Sequence, residues 1–158
     1  MTSDLRPQKR GNKIAMTAEE RDAFLGAERT CRVATVGPDG HPHNTALWFL
    51  WDGTHFWMQS ITRAQRWADL QRDPRVAIVV DSGVDYFELK GVEILGSVEF
   101  VGEQPRAGEP HDDLAVMEPA FFKKYFDTEE VFHDGKHAWM RVQPDKITSW
   151  DFTKLAGL

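Results

Sequence analysis

Residues 60–66, with the sequence SITRAQR, combine the side chains that a phosphate-binding site requires. Ser60 and Thr62 carry hydroxyl groups where a predicted strand ends. Arg63 and Arg66 lie one helical turn apart at the start of a predicted helix. Helix N-termini present free amides and the positive end of the helix dipole, and two guanidinium groups add donors that match phosphate oxygens. A solvated helix start with a hydroxyl cap is the simpler alternative. Basic residues in a first turn oppose the dipole, however, so we predict a phosphate site.

The histidines do not have the spacing of a metal site. His41, His43 and His55 fall close together in the chain, but no neighbouring residue completes a recognised ligand set. Residues 133–137 contain Asp-Gly, which more simply indicates a hairpin turn. We therefore predict no metal site. No residue is identified as catalytic, and a proton could come from solvent or from a residue such as His43.

Lys90 and Trp150 are further candidates for a binding site. Lys90 shares a face of a predicted strand with Glu88, which fits either a cross-strand ion pair or a lysine near a cofactor phosphate. Trp150, in the last predicted strand, fits either a pocket wall or ordinary packing. The chain has 6 Trp and 10 Phe, many for its size, which indicates ring-lined pockets or an oligomer interface.

Short antiparallel strands are predicted to position these residues. Thr17 and Glu20 form a capping box that begins the first helix, and the apolar run 76–80 is typical of a strand buried on both faces. Helices are predicted over 17–28, 63–71 and 112–126, and strands over 31–36, 43–51, 54–60, 76–80, 86–101, 136–142 and 146–152. Gly91 or Gly96 could bend the long strand. This pattern predicts a mainly β (α+β) fold, a small barrel with helical insertions.

Length and charge exclude several classes of protein. The 158 residues suit one domain, and the net charge of −6 disfavours binding to nucleic acid. No apolar run approaches the ~20 residues that span a membrane, and the polar N-terminus lacks a secretory signal, so we expect a cytoplasmic protein with no membrane partner. Cys31 is the only cysteine. Residues 1–15, with little apolar area, are predicted to be a flexible tail, and residues 16–158 to form the domain.

The order of several motifs resembles the pyridoxamine 5′-phosphate oxidase-like split-barrel flavoproteins, and most closely the actinobacterial flavin/deazaflavin oxidoreductases of that superfamily. Single motifs are weak, but their order and spacing together are specific over roughly residues 17–155. The matching stretches are ALWF (46–49), WDG (51–53), FWMQS (56–60), TRAQR (62–66), DLQRDPRV (69–76), YFELKGV (86–92) and KITSWDF (146–152).

The resemblance implies a six-stranded split β-barrel homodimer with cofactor sites in the grooves between subunits. It implies FMN or the deazaflavin coenzyme F420 as the cofactor, and hydride transfer to a small unsaturated organic substrate as the reaction. The ring would lie against the second strand, and the phosphate would bind at the end of the third. A non-catalytic protein that binds a flavin, F420 or haem is the alternative. The implied cofactor residues are Asn44, Thr45, Ala46, Leu47, Trp48, Ser60, Thr62, Arg63, Arg66, Lys90 and Trp150.

The sequence departs from the family pattern at two positions. Arg66 stands where many relatives have Lys, which keeps the charge but changes its geometry. Gln65 stands where a second basic residue is common, which weakens the case for F420 relative to FMN. The C-terminal end also lacks the basic residues that vitamin B6 oxidation would require, so that activity is not expected.

Overall fold

Six antiparallel strands form one closed barrel in the computed structural model, which describes residues 5–156. Neighbouring strands follow the order β1-β2-β3-β6-β5-β4. The strands are β1 (Thr30–Val36), β2 (Pro42–Trp51), β3 (Phe56–Ile61), β4 (Arg75–Ser82), β5 (Lys90–Val101) and β6 (His137–Asp151). The helices are α1 (Ala18–Ala27), α2 (Gln65–Arg72) and α3 (Asp112–Phe126). The predicted six-stranded barrel with short flanking helices is confirmed.

Two predictions about the strands were wrong, namely the start of β5 and the division of β6 into two strands. The long strand expected over 86–101 begins as a 3₁₀ turn at Tyr86–Glu88, and β5 starts at Lys90. The two strands expected at the end are one strand, β6, which is paired with β5 along most of its length. A register shift opposite Gly96 accommodates one extra residue of β6. This bulge bends the strands without ending the ladder, and Gly96 is one of the two glycines predicted to do so.

The barrel opens between β2 and β3. These strands pair only at Phe49↔Met58, Leu50↔Trp57 and Trp51↔Phe56. Residues 42–48 of β2 pair with β1 alone, whereas residues 56–61 of β3 pair with β6. The first part of β2 and the end of β3 therefore separate, and the gap between them is the split of the barrel.

Apolar side chains pack in two layers, and β6 contributes to both. Alternate residues of a strand point to opposite faces. Ala138, Met140 and Val142 belong to the cluster inside the barrel, while Trp139 belongs to a second cluster beneath α3. Helix α3 therefore covers the outside of the barrel. No helix within residues 5–156 combines the length and apolarity needed to cross a membrane.

Residues 6–14, part of the segment expected to be a flexible tail over 1–15, contact β6. Arg6 N donates to Asp145 O at 2.8 Å, and Asp151 N donates to Ile14 O at 2.7 Å. Gln8 and Ser149 exchange two hydrogen bonds. The reason is that β3 pairs with β6 only as far as Val142, which leaves one edge of residues 143–151 free. The segment covers that edge with hydrogen bonds of its backbone and of the Gln8 side chain rather than with apolar area. Residues 1–4 lie outside the described part of the chain.

Candidate functional site

Arg66 spans the split of the barrel. Its Nε donates to Oγ of Ser60 on β3 at 3.2 Å, and its Nη1 donates to Oγ1 of Thr45 on β2 at 2.5 Å. Ser60 is buried, so its hydroxyl is fixed in place. No residue among 5–156 accepts a hydrogen bond from Nη2 of Arg66. The guanidinium is therefore held by two hydroxyls and keeps free donors.

The positive charge of Arg66 has no counter-charge within the described residues. No carboxylate there lies within 4.0 Å of its guanidinium nitrogens, and burial lowers its pKa below the ordinary value. Arg106, which is buried, by contrast faces two carboxylates. A partly desolvated, unpaired guanidinium is costly unless a ligand supplies an anion. The residues at this position thus fit a phosphate group.

The start of α2 lies beside Arg66 and has no side-chain cap. Its N-cap is Ala64, whose methyl group cannot accept a hydrogen bond, so the hydroxyl cap of the simpler alternative is not present. Helix α2 begins at Gln65, later than predicted, and Arg63 therefore precedes the helix. The side chain of Arg63 is exposed, while Thr62 is half-buried and its backbone N–H donates to Lys136 O at 3.0 Å. Of the two predicted arginines, the fold brings only Arg66 together with Ser60.

A cavity of about 420 Å³ lies at the split, where β2 and β3 have separated. Three of its wall residues, Ala46, Leu47 and Trp48, come from the part of β2 that has left β3. Gln59 enters from β3. Aromatic residues of α3 and the following loop form the opposite wall, namely Phe121, Phe122, Phe126 and Phe132. The surplus of aromatic residues thus has one explanation in a ring-lined pocket.

Tyr125 holds α3 against β2 beside this cavity. Its hydroxyl donates to Arg29 O or Phe49 O, at 2.7 and 2.8 Å, and accepts from Phe49 N at 2.9 Å. Its ring stacks on Trp48 with centroids 4.5 Å apart. Burial raises the pKa of Tyr125 to about 12. The hydroxyl therefore stays protonated and fixes the aromatic wall relative to the strand.

Glu118 of α3 anchors the loops on either side of the helix. Its carboxylate accepts hydrogen bonds from Nε and Nη2 of Arg106. It also accepts one from Nε1 of Trp139 at 3.1 Å. His133 Nε2 lies 3.0 Å from its second oxygen. Burial disfavours the Glu118 carboxylate, but these hydrogen bonds outweigh it and lower its pKa. The loop before α3 and the loop after it are thereby fixed as cavity walls.

His137 and Asp134 form a hydrogen-bonded pair at the cavity. His137 Nδ1 lies 2.5 Å from Asp134 Oδ2, and the other oxygen of Asp134 accepts from the backbone N–H groups of Lys136 and His137. Burial opposes ionisation of Asp134, but these hydrogen bonds prevail and lower its pKa to about 2. The Asp-Gly turn predicted at 134–135 thus also orients a histidine ring.

The remaining predicted residues lie at a second cavity, of about 410 Å³, on another face of the barrel. Asn44, Lys90 and Trp150 line it. Lys90 Nζ lies 3.9 Å from Asp151 Oδ2. Trp150 packs across Gly91, where a Cβ atom would come within 2.1 Å of Cζ2 of the indole. Within one chain, these residues therefore line a different cavity from the one walled by Ala46, Leu47 and Trp48.

His43, considered as a proton donor, lines neither cavity. Its Nδ1 lies 3.4 Å from Oδ2 of Asp69, a buried carboxylate of α2. The cavity walls missed at the sequence level are Gln59, Arg106 and the aromatic residues of α3. For the aromatic residues the signal in the sequence was their excess, whereas Gln59 and Arg106 had none.

A family model described as pyridoxamine 5′-phosphate oxidase matches residues 17–151. That range covers the barrel, both flanks of the split and every residue of the two cavities. Among curated proteins, none matches the chain.

Solved structures share this fold. The conserved hypothetical protein Rv2991 from Mycobacterium tuberculosis is 29% identical, with a TM-score of 0.77 over 95% of this chain and 93% of its own. A structure named F420 reductase is 25% identical, with a TM-score of 0.60 over 80% and 94%. A FAD-binding protein from Mesorhizobium loti is 21% identical, with a TM-score of 0.65 over 85% of this chain and 93% of its own. At this identity the likeness is one of fold alone.

Proposed function

Because the chain belongs to the pyridoxamine 5′-phosphate oxidase family, we propose that it is an oxidoreductase that binds F420, or alternatively FMN. It transfers hydride between the reduced cofactor and a small unsaturated organic substrate. The bound flavin or deazaflavin supplies the hydride chemistry, and the protein supplies position and electrostatics. The similar protein named F420 reductase supports a deazaflavin as the first choice.

The single observation that carries this proposal is the unpaired guanidinium of Arg66. It is partly desolvated, held by Ser60 and Thr45, and free of carboxylates among residues 5–156. A phosphate group of the cofactor supplies the missing negative charge. The uncapped start of α2 adds backbone N–H donors on the same side. Arg63, exposed just before the helix, adds a second positive charge at the entrance.

The cofactor ring lies against residues 44–48 of β2 in this proposal. The outward-facing residues Asn44, Ala46 and Trp48 follow one another along that strand and connect the two cavities. Ala46 leaves room for a flat ring between its larger neighbours. We further propose a homodimer in the cytoplasm, in which Lys90 and Trp150 contact the cofactor bound mainly by the other subunit. Nucleic acid and membranes are not partners in this proposal.

Cofactors with and without a phosphate test the proposal. The protein is titrated with FMN and riboflavin, and with F420 and its phosphate-free riboside, by absorbance and fluorescence. Charge-assisted hydrogen bonds contribute about 1.5–3 kcal/mol, so each phosphate-bearing cofactor should bind at least tenfold more tightly than its phosphate-free counterpart. Equal affinities within both pairs, or no binding of any of the four, would contradict the proposal.

The alternative of a non-catalytic binding protein predicts a different result. The protein loaded with F420 or FMN is mixed with chemical reductant and then with a panel of unsaturated carbonyl compounds and imines. An oxidoreductase reoxidises its reduced cofactor faster in the presence of at least one of these acceptors. A carrier or storage protein retains a cofactor whose rate of reoxidation does not depend on the acceptor.

A further inference from the structure

His43 and Asp69 form the second of two side-chain links between β2 and α2. Nδ1 of His43 lies 3.4 Å from Oδ2 of Asp69. The first link is the hydrogen bond between Arg66 and Thr45. His43 and Thr45 are alternate residues of β2 and share one face, while Arg66 and Asp69 are three residues apart on α2. The two links therefore lie side by side, and His43 is a neighbour of the proposed phosphate site.

The two atoms that face each other in this link differ in their hydrogen bonding. The Asp69 carboxylate is fully buried. It accepts hydrogen bonds from Thr35, Gln65 and Arg72. Burial opposes its ionisation, but these hydrogen bonds prevail and lower its pKa. Nδ1 of His43 is also buried, yet it has no hydrogen-bond partner within residues 5–156. Buried polar atoms are normally paired, and protonation of the ring gives this one a charge attraction to Asp69.

Histidine supplies the charge around this link that changes near neutral pH. Three groups on α2 keep their charges in that range, namely Arg66, Asp69 and Arg72. Thr35, opposite His43 on β1, is uncharged. The turn before β2 carries Asp39, whose carboxylate accepts from the backbone N–H of His41 at 3.0 Å. His41 is exposed, so solvent screens its charge, whereas His43 is half-buried against α2.

We propose that His43 makes the anion site proton-linked: its protonation adds a positive charge beside Arg66 and strengthens binding of the cofactor phosphate. By linkage, the bound phosphate favours the protonated ring to the same extent. This inference rests on the proposed function and adds the regulation of its phosphate site. Alternate residues of a strand are about 7 Å apart, which is within the Debye length of about 8 Å in physiological salt. Solvent therefore screens the added charge only in part.

Cofactors whose anionic group has a constant charge test this inference. FMN is unsuitable, because its phosphate monoester itself gains a proton at about pH 6. Riboflavin 5′-sulfate and the phosphodiester of F420 do not change charge in this range. The full chain is titrated by fluorescence with riboflavin 5′-sulfate and riboflavin, and with F420 and its phosphate-free riboside, at pH 5.5 and pH 7.5. The ring is common to both members of a pair, so its own titration cancels in the ratio of their affinities.

The affinity ratio of charged to uncharged cofactor should be at least about threefold larger at pH 5.5 than at pH 7.5. His43→Gln keeps a polar side chain that cannot gain a proton, so it should show the smaller ratio at both pH values. The matched control is His41→Gln, at the exposed histidine two residues earlier. It should keep the pH dependence of the unaltered protein.

The measurement on the unaltered protein is decisive even if His43→Gln does not fold. A ratio well above one that stays constant with pH overturns this inference alone. An unchanged pH dependence in folded His43→Gln, or its loss in His41→Gln, also overturns it. Failure of the proposed function has a different signature, since the ratio is then one at both pH values or no cofactor binds, and the inference falls with it.

Discussion

Arg66 of α2 and Thr45 of β2 are joined by a hydrogen bond, 2.5 Å long, across the gap where β2 has left β3. The strands contribute no ladder hydrogen bonds at this level. The side chain of a helix therefore connects them, and Ser60 provides the contact on the other side. The residue that bridges the split also has no carboxylate partner within the described chain. The opening in the barrel and the anion site thus have the same structural origin.

Removing the hydroxyl of Tyr125 should destabilise the fold. In Tyr125→Phe, Phe49 loses a partner for its N–H, and the carbonyl groups of Phe49 and Arg29 lose a donor. Buried groups left without partners cost about 1–3 kcal/mol in the free energy of unfolding. Urea denaturation followed by fluorescence measures the loss. The matched control is Tyr86→Phe, at an exposed ring, which should change that free energy by less than about 0.5 kcal/mol.

Gly91 is required for the packing of Trp150 in the second cavity. In Gly91→Ala the new methyl group would lie 2.1 Å from the indole, so the ring must move. We expect an altered near-ultraviolet circular dichroism spectrum and a loss of about 1–3 kcal/mol in stability. Gly26→Ala, in α1, is the control, because nothing lies within 4 Å of the added atom. An unchanged spectrum in Gly91→Ala would show that Trp150 is not packed on this glycine.

Asp69 should make stability depend on acidic pH. Burial alone would raise its pKa, but hydrogen bonds from Gln65, Thr35 and Arg72 outweigh burial and lower it. A carboxyl whose pKa is lower in the folded state stabilises the fold above its unfolded pKa of about 3.9, and this contribution is lost as pH falls through the folded value.

The variant Asp69→Asn isolates this effect. At pH 7 it should be less stable than the unaltered protein, and the difference should shrink as pH is lowered below about 4. Urea denaturation at several pH values measures both quantities. Asp81→Asn, at an exposed carboxylate paired with Arg32, should follow the unaltered protein closely over the same range. A difference for Asp69→Asn that stays constant down to pH 2 would contradict the assigned role.

The barrel could be predicted from the sequence because its signals are local. The apolar run of β4 and the Asp-Gly turn at 134–135 each depend on a few neighbouring residues. The capping box of Thr17 and Glu20 likewise marks the start of α1, where the structure confirms it. The hydrogen bonds of residues 6–14 could not be predicted because they depend on a free edge of β6, a feature that exists only after the barrel has closed.

The candidate site was predicted only in part, for a related reason. Ser60 and Arg66 are close in the chain, so their association follows from one strand end and one helix start. Arg63 was assigned the same role because the helix was expected to begin there. The walls of the first cavity bring together Trp48, Arg106 and Phe132. Trp48 and Phe132 are more than 80 residues apart in the chain. Packing of α3 on the barrel creates that proximity, and periodicity does not encode it.

Replacing Arg66 by methionine tests the central claim most directly. Arg66→Met keeps much of the side-chain length but removes the charge, and it is compared with Arg75→Met, whose guanidinium is exposed and paired with Asp73. Each variant is titrated with FMN and riboflavin by fluorescence. We predict that Arg66→Met weakens FMN binding at least tenfold and keeps the affinity for riboflavin within about twofold of the unaltered protein. Arg75→Met should change neither affinity. Equal loss for FMN and riboflavin, or no loss for either, would contradict the assignment of Arg66 as the phosphate ligand.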